Sequence, residues 1–393
     1  MKKHNQAIEI SKYVLFALVG ALLGSLFTYL LLGANKPIIN KCNVSNKKFE
    51  PVYEAYDTLK SGFYKDLDDS KLIDGMINGM MLATGDKHTN FFDEKAYNDF
   101  KTEINGSYYG IGAQIFQNDD NNVSISKIFA NSPAEKAGLR IGDTFISIDG
   151  ESMLGKTPSE VSNVLRSDES LKATIVVKRG EEELTIEIQK EIVEIPTVTS
   201  EVLEGDIGYI ELSLFSSLTD DQFSDELNKL ESKGIKSLII DLRGNSGGYL
   251  STVTNIISRF VDRDTVIYQI RQKDNTKKYY SLNNSTLNYK VVVLVDENSA
   301  SASEIMASAL QEQYGATLVG KKTYGKGTVQ EMKELPNNTM FKYTIEEWLT
   351  SNGNSINEVG VNPDIEIDLG EEYYSNPVRE NDAQLQKAIE LLK

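Results

Sequence analysis

The sequence predicts a multidomain α/β protein: an N-terminal transmembrane helix, a helical region, a β-rich α+β module and an α/β core. Three observations carry this reading. Residues 13–35 hold no charge and are rich in Leu, Val, Ala and Phe, and about 20 such residues cross a hydrocarbon core. Residues 108–188 form short runs of alternating polarity, the period of strands. From Ile207 onward apolar strand-like runs alternate with helical patterns, the mark of a layered α/β domain. At 393 residues the chain is long enough for several cores.

The divisions follow in order: 1–36 as cytoplasmic tail and membrane anchor, 37–105 as a helical cap, 106–192 as the β-rich module, 193–370 as the core, and 371–393 as a C-terminal helix. Basic residues flank the apolar stretch on both sides (Lys2, Lys3 and Lys12 against Lys36, Lys41, Lys47 and Lys48). Charge therefore does not orient it, but a short tail ahead of a long domain favours placing the domain outside. Leu32-Gly-Ala34 forms a weak cleavage site, so retention or removal of the segment stays open. In the cap, Val52, Tyr56, Leu59, Phe63, Leu72, Met76 and Met80 recur at helical spacing. That stripe is expected to be core or the surface of a homodimer. Asp86-Lys-His-Thr89 reads as a polar turn with His88 structural.

Strands are expected at 109–112, 123–128, 174–177 and 184–188, with Phe145-Ile-Ser-Ile-Asp-Gly150 lying between them. A helix over 158–166 turns Val161, Val164 and Leu165 to one side. In the core, strands at 208–212, 237–242 and 290–295 alternate with helices at 220–233, 250–260 and 302–314.

Composition excludes several functions. A net charge of -17 opposes nucleic acid. The single Cys42 excludes an internal disulfide framework and any multi-cysteine zinc site. No metal and no cofactor is expected. The only histidines are His4 and His88, so a Ser-His-Asp triad would need His88, whose surroundings suggest no such role. A Ser-Lys pair needs no histidine, because a neutral amine accepts the hydroxyl proton.

Two turns at strand ends carry that chemistry: Arg243-Gly-Asn-Ser-Gly-Gly248, and Asp296-Glu-Asn-Ser-Ala-Ser-Ala-Ser303 leading into a helix. Ligands gather at the carboxyl ends of such strands. A serine at a strand-to-helix turn gains exposure and nearby N–H groups, and glycines let the backbone approach closely. Oxyanion-hole donors of this kind are worth about 3–4 kcal/mol each. Spacing alone leaves Ser299, Ser301 and Ser303 equivalent.

Some matches are decoys. Gly320-Lys-Lys-Thr-Tyr-Gly-Lys326 has phosphate-loop spacing, but Gly327 follows where Ser or Thr would hold magnesium. Ser45-Asn-Lys-Lys48 fits S-x-x-K without a K-T-G partner. Glu181-Glu-Glu183 is a solvated turn.

The series Ser132-Pro-Ala, Ala137-Gly-Leu, Gly142-Asp and Ile148-Asp-Gly150 resembles a PDZ domain of bacterial type. Asp241-Leu-Arg-Gly-Asn-Ser-Gly-Gly248, Ser299-Ala-Ser-Ala-Ser-Glu304, Tyr324-Gly-Lys-Gly-Thr-Val-Gln330 and Gly360-Val-Asn-Pro-Asp364 resemble the C-terminal processing peptidases, or tail-specific proteases, across 49–392. The resemblance implies a protease core similar to the crotonase and Clp peptidase folds. It implies Ser301 as nucleophile, Lys326 as base, Gln330 orienting the lysine, and Gly247 and Ala302 N–H groups as the oxyanion hole. Ser246 stands where the family commonly has proline and Asn298 where glycine is frequent, and neither removes a catalytic group.

A PDZ domain implies that Tyr109, Gly110, Ile111 and Gly112 hold a peptide's terminal carboxylate on backbone N–H groups, the tail adding as a strand. Arg166 would couple that event to the core. Expected partners are proteins with apolar C-terminal tails, at a bacterial cell membrane, with the catalytic domain extracytoplasmic. Lys326 must be neutral to act: a free lysine titrates near 10.4, so working near pH 7 costs about 4 kcal/mol, supplied by burial, with Tyr324, Val329 and the serine turn excluding water. Two rivals stay open: an inactive PDZ scaffold, and a different hydrolase on the same core.

Overall fold

The computed structural model describes residues 46–166, 171–273 and 275–393. The apolar stretch 13–35, and the anchor expected there, lie outside them. No described helix is long and apolar enough to cross a membrane. The chain divides into two compact units, 1–76 and 77–393.

The first unit holds helix α1 (Glu50–Gly62) and the start of α2 (Asp69–Leu82). Neither helix has a buried residue. Val52, Leu59, Phe63, Met76 and Met80 are all exposed, which corrects the core reading of that stripe.

In the second unit the helical pattern breaks at strand β1 (Asn90–Phe92), and helix α3 follows (Glu94–Asn105). Asp93 caps α3 by accepting from Ala96 N–H, and Gly106 ends it in the left-handed region.

The β-rich module runs through β2 (Ser107–Gly110), β3 (Ala113–Gln117), β4 (Val123–Ile128), α4 (Pro133–Lys136), β5 (Thr144–Ile148), β6 (Glu151–Ser152), α5 (Pro158–Arg166), β7 (Lys172–Arg179), β8 (Glu182–Gln189) and β9 (Glu191–Glu194). Its antiparallel sheet has the order β3-β4-β5-β7-β8, with β6 on β5, while β2 pairs only with β9. Tyr109 and Gly110 therefore belong to a separate ladder, not to a strand of the main sheet as the sequence pattern suggests. Val123, Ile125, Phe145, Ile175 and Val177 pack with Val161 and Leu165 of α5. Each such burial is worth about 1.5–3 kcal/mol.

The core contains β10 (Val198–Leu203), β11 (Ile207–Leu212), α6 (Thr219–Ser232), β12 (Ser237–Asp241), α7 (Leu250–Ile257), β13 (Val266–Gln272), β14 (Asn275–Tyr280), β15 (Lys290–Val295), α8 (Ala302–Ala309), β16 (Thr317–Gly320), β17 (Thr328–Leu335), β18 (Thr339–Leu349), β19 (Ile365–Glu366), α9 (Glu371–Ser375) and α10 (Ala383–Leu392). The central sheet has the order β10-β11-β12-β15-β16-β19, parallel except for β10 against β11. Both faces are covered, which is why β12 and β15 read as continuous apolar runs. Ile210, Ile240 and Val293 pack in the main core, while Ile239, Val292 and Leu294 meet Leu385 and Ala388 of α10. Helix α8 gives way to a π-helical turn over Leu310–Tyr314, so the expected single helix 302–314 is two. A second antiparallel sheet, β1-β18-β13-β14 with β17 on β18, has no counterpart in the sequence reading. It brings the Asp86–Thr89 turn and the lysine-bearing segment to one place.

Candidate active site

Strand β15 ends in a turn tied together by Asp296. Its Oδ1 accepts from the N–H groups of Gly244 (2.9 Å), Asn298 (3.0 Å) and Ser299 (3.0 Å). The three serines then separate. Ser299 Oγ donates to Leu242 O at 2.8 Å and Ser303 Oγ to Asn245 O at 2.8 Å, both fully buried. Of the three serines, Ser301 alone lines the large cavity beside the turn. Ser301 has φ 56° and ψ -114°, outside the regions comfortable for a side-chain-bearing residue. Such a residue costs about 1–3 kcal/mol and persists only where its surroundings hold it.

Glu304 supplies the hold. It forms a capping box with Ser301, and its buried carboxylate accepts four hydrogen bonds. Oε2 takes Ser301 N–H at 2.8 Å and Lys326 N–H at 2.9 Å. Oε1 takes the Thr323 hydroxyl at 2.6 Å and Gly325 N–H at 2.7 Å. One side chain thus pins the serine turn to the lysine segment. Burial pushes its pKa up, against the four donors.

The glycine turn packs directly on Ser301. Gly247 has φ 109°, and a Cβ there would sit 2.8 Å from Ser301 Cβ and 2.9 Å from Ala300 O. No side chain fits. Its N–H donates to Asn245 Oδ1 at 2.9 Å, so this amide is engaged in the structure. Asn245, itself fully buried, donates through Nδ2 to Leu212 O at 2.8 Å. Ala302 opens α8, where N–H groups lack intrahelical acceptors.

Lys326 lies between β16 and β17, with its carbonyl receiving Trp348 Nε1–H at 2.8 Å. Its side chain lines the same cavity as Ser301, a space of about 570 Å³. Burial first, then the Lys342 ammonium, depress its pKa to about 8, opposed by Glu304 and Asp86. Gln330 lines the cavity too, but its Nε2 donates to the Thr328 hydroxyl at 2.8 Å and the Thr344 hydroxyl at 3.3 Å. The direct bond to the lysine implied by the family resemblance is absent among the described hydrogen bonds. Thr344 in turn donates to Asp86 Oδ2 at 2.6 Å. His88 sits in this group: burial, then Lys326, lower its pKa, and its buried Nε2 has no partner among the described residues. The turn around it is thus part of the lysine's electrostatic surroundings. Tyr324 is about half exposed and does not line the cavity, whereas Val329 and the fully buried Trp348 do.

At the β-rich module, Ile111 is buried and its carbonyl accepts Ala134 N–H at 2.8 Å, while Gly112 O accepts Phe129 N–H at 3.0 Å. Tyr108 packs across the loop: a Cβ on Gly110 would lie 2.5 Å from its ring. Its phenol oxygen sits by the N–H groups of Gly112 and Ala113. Burial raises its pKa, while the Arg166 cation and those two amides oppose the rise. The Arg166 guanidinium stands 4.9 Å from the Tyr108 ring centroid, and its Nη1 lies 3.7 Å from Asp99 Oδ1 on α3. Phe100, Glu103 and Ile104 of the same helix line the cavity.

The chain matches peptidase family S41 over residues 206–367, a PDZ domain over 125–179, and the activating protease CtpB N-terminal domain over 34–96. It is 34% identical over 362 residues to the carboxy-terminal processing protease CtpA of Bacillus subtilis, covering 91% of this chain and 77% of that protein. The chain belongs to the S41 carboxy-terminal processing proteases. CtpB of the same organism is 34% identical over 340 residues, covering 85% of this chain and 71% of the relative. A CtpA-like serine protease of Staphylococcus epidermidis is 30% identical over 382 residues, covering 95% and 77%. Among solved structures, the photosystem II D1 C-terminal processing protease aligns at 25% identity and TM-score 0.47, covering 80% of this chain and 86% of that one.

This S41 peptidase is therefore a serine-type peptidase carrying a PDZ domain. Sequence reasoning missed Glu304, Asp86, Thr344, Lys342, Tyr108 and Asp99. Glu304 was reachable, since Ser301-Ala-Ser-Glu304 is a capping-box pattern. Asp86, Thr344 and Lys342 meet the site only through strand pairing across long separations, and Tyr108 and Asp99 through the packing of Arg166.

Proposed function

We propose that this peptidase cleaves peptide bonds with Ser301 as nucleophile and Lys326 as base, on proteins captured by their C-terminal tails. Ser301 Oγ attacks the scissile carbonyl carbon as its proton passes to neutral Lys326 Nζ. The oxyanion takes N–H bonds from Ala302 and from Gly247, the latter exchanging Asn245 Oδ1 for the substrate oxygen. Collapse breaks the C–N bond, the leaving amine takes the proton from Lys326, and water then hydrolyses the acyl ester by the same route. Gln330 acts through the Thr328–Thr344–Asp86 hydrogen-bond chain on the cavity wall. The observation that carries this reading is a lysine depressed to about 8 in one cavity with the one unburied serine of the turn.

Tail capture belongs to the loop Tyr109, Gly110, Ile111 and Gly112, with Arg166 linking it through Asp99 and α3 toward the cavity. The apolar stretch 13–35 supports anchoring at a membrane, with the catalytic domain outside the cytoplasm. The exposed stripe of α1 and α2 supports pairing with a second copy. The test is turnover of casein and of a tailed peptide by wild type, Ser301→Ala and Lys326→Ala. Loss of turnover in both variants, with peptide binding retained, is expected. Retained turnover at neutral pH in Lys326→Ala would remove the lysine from the mechanism.

A further inference from the structure

A second lysine faces the same cavity and has no ion-pair partner among the described residues. Lys342, on β18, stands opposite Met332 of β17 and Asn90 of β1. It lines the cavity with Ser301 and Lys326. Its ammonium lies 5.4 Å from the ring centroids of both Phe92 and Phe100, rings that are themselves 5.4 Å apart. Two aromatic faces hold the cation without neutralising it. Among the described residues Lys342 forms no ion pair. Glu103 is the carboxylate nearest in effect, and it lines the cavity without reaching salt-bridge distance.

A half-buried ammonium with no ion-pair partner within reach is costly, and burial lowers the lysine's pKa accordingly. The chain carries a formal charge of -17, yet this cavity presents two lysines against one glutamate. An excess of one sign in a cleft concentrates ligands of the other sign. The remaining wall is uncharged, apolar at Leu214, Leu250, Val329, Met332 and Trp348 and polar at Ser251, Thr328 and Gln330. An extended peptide crossing the cavity to reach Ser301 must pass Lys342, the one cation on that wall other than the proposed base.

We propose that Lys342 is a specificity residue that receives a carboxylate of the bound peptide beside the scissile bond. This deepens the proposed Ser301–Lys326 reading and rests on it. The carboxylate is either an Asp or Glu side chain near the cleaved bond or the terminal carboxylate of a short substrate. Lys342 contributes recognition, not proton transfer, so neutral substrates remain cleavable without it.

The experiment measures kcat/KM of wild type, Lys342→Met, Lys342→Gln and Lys342→Arg on matched peptides. One pair carries Glu or Gln next to the scissile bond, and a second pair ends in a free acid or an amide. Wild type should prefer one carboxylate member by about 10-fold, the worth of one charge-assisted hydrogen bond. Lys342→Met and Lys342→Gln should bring that ratio to about 1, and on the neutral peptide should act only by moving the acid limb of kcat/KM to higher pH, since the Lys342 cation helps depress Lys326; Lys342→Arg should keep both the preference and the limb. The pair whose ratio collapses identifies the source of the carboxylate. A ratio near 1 in wild type, or an unchanged ratio in the folded variants, overturns the proposal. So does loss of neutral-peptide cleavage in both neutral variants at pH values above that limb, with melting temperature unchanged. Failure of the Ser–Lys reading shows separately, as turnover surviving in Ser301→Ala or Lys326→Ala.

Discussion

Replacing Glu304 by Gln takes one acceptor oxygen from a carboxylate that four donors share. An amide oxygen can keep one pair of partners, and the NH2 group must then face the other pair. If the oxygen stays with the Thr323 hydroxyl and Gly325 N–H, the NH2 meets the N–H groups of Ser301 and Lys326, bonded at 2.8 and 2.9 Å in the native protein. Two charge-assisted bonds vanish and two donors are left facing a donor. Each unmet buried donor costs about 1–3 kcal/mol, and relaxation recovers part, so the loss should be about 2–4 kcal/mol. Urea unfolding reads it directly. The strained Ser301 also loses its hold, so kcat should fall at least about tenfold while KM moves little. A third sign is independent of both. Glu304 supports the Lys326 ammonium, so removing its charge lowers that lysine's pKa further and moves the acid limb of kcat/KM toward lower pH. A variant as stable and as active as wild type, with the limb unmoved, would refute the pinning role of Glu304.

Gly247→Ala places a methyl 2.8 Å from Ser301 Cβ at φ 109°. Turnover should fall by about 100-fold or more, the value of one oxyanion donor, as measured by peptide hydrolysis with binding checked by anisotropy. Arg166→Ala removes the cation above Tyr108 and the pairing with Asp99. The ratio of kcat/KM for free-acid over amidated tails should then drop toward 1, and an unchanged ratio counts against coupling. Tyr108→Phe frees the Gly112 and Ala113 amides from the phenol oxygen. Tail affinity, measured on the full chain carrying Ser301→Ala, should tighten about 3- to 10-fold as those amides lose a competing polar neighbour. Unchanged affinity would mean that the phenol does not occupy the tail's place.

The order of the modules was legible because its signals are local. Period-2 runs mark β3 to β8, a hydrophobic helix face marks α5, and doubly covered strands such as β12 and β15 read as apolar blocks. The two turns that meet at Ser301 were legible for the same reason, as small residues at strand ends. What the pattern hid is non-local. Three serines within five positions look alike, and only the carbonyls of Leu242 and Asn245, from another strand's turn, bury two of them. Gln330 turns to Thr344 because β17 pairs with β18. Lys342 and the Asp86 turn reach the lysine through that same sheet. The apolar stripe on α1 and α2 read equally as core or as the surface of a homodimer, because periodicity reports amphipathicity and not what covers the apolar face.

The account turns on the protonation of Lys326. A depression from 10.5 to about 8 disfavours the ammonium by about 3 kcal/mol and leaves about one molecule in ten neutral at pH 7. Heteronuclear NMR titration of 13Cε-labelled lysine, assigned by comparison with Lys326→Met, reads that equilibrium directly. A Lys326 resonance titrating near 8, in step with the acid limb of kcat/KM, is the predicted result. Titration near 10.5, with the same limb in the activity profile, would contradict it.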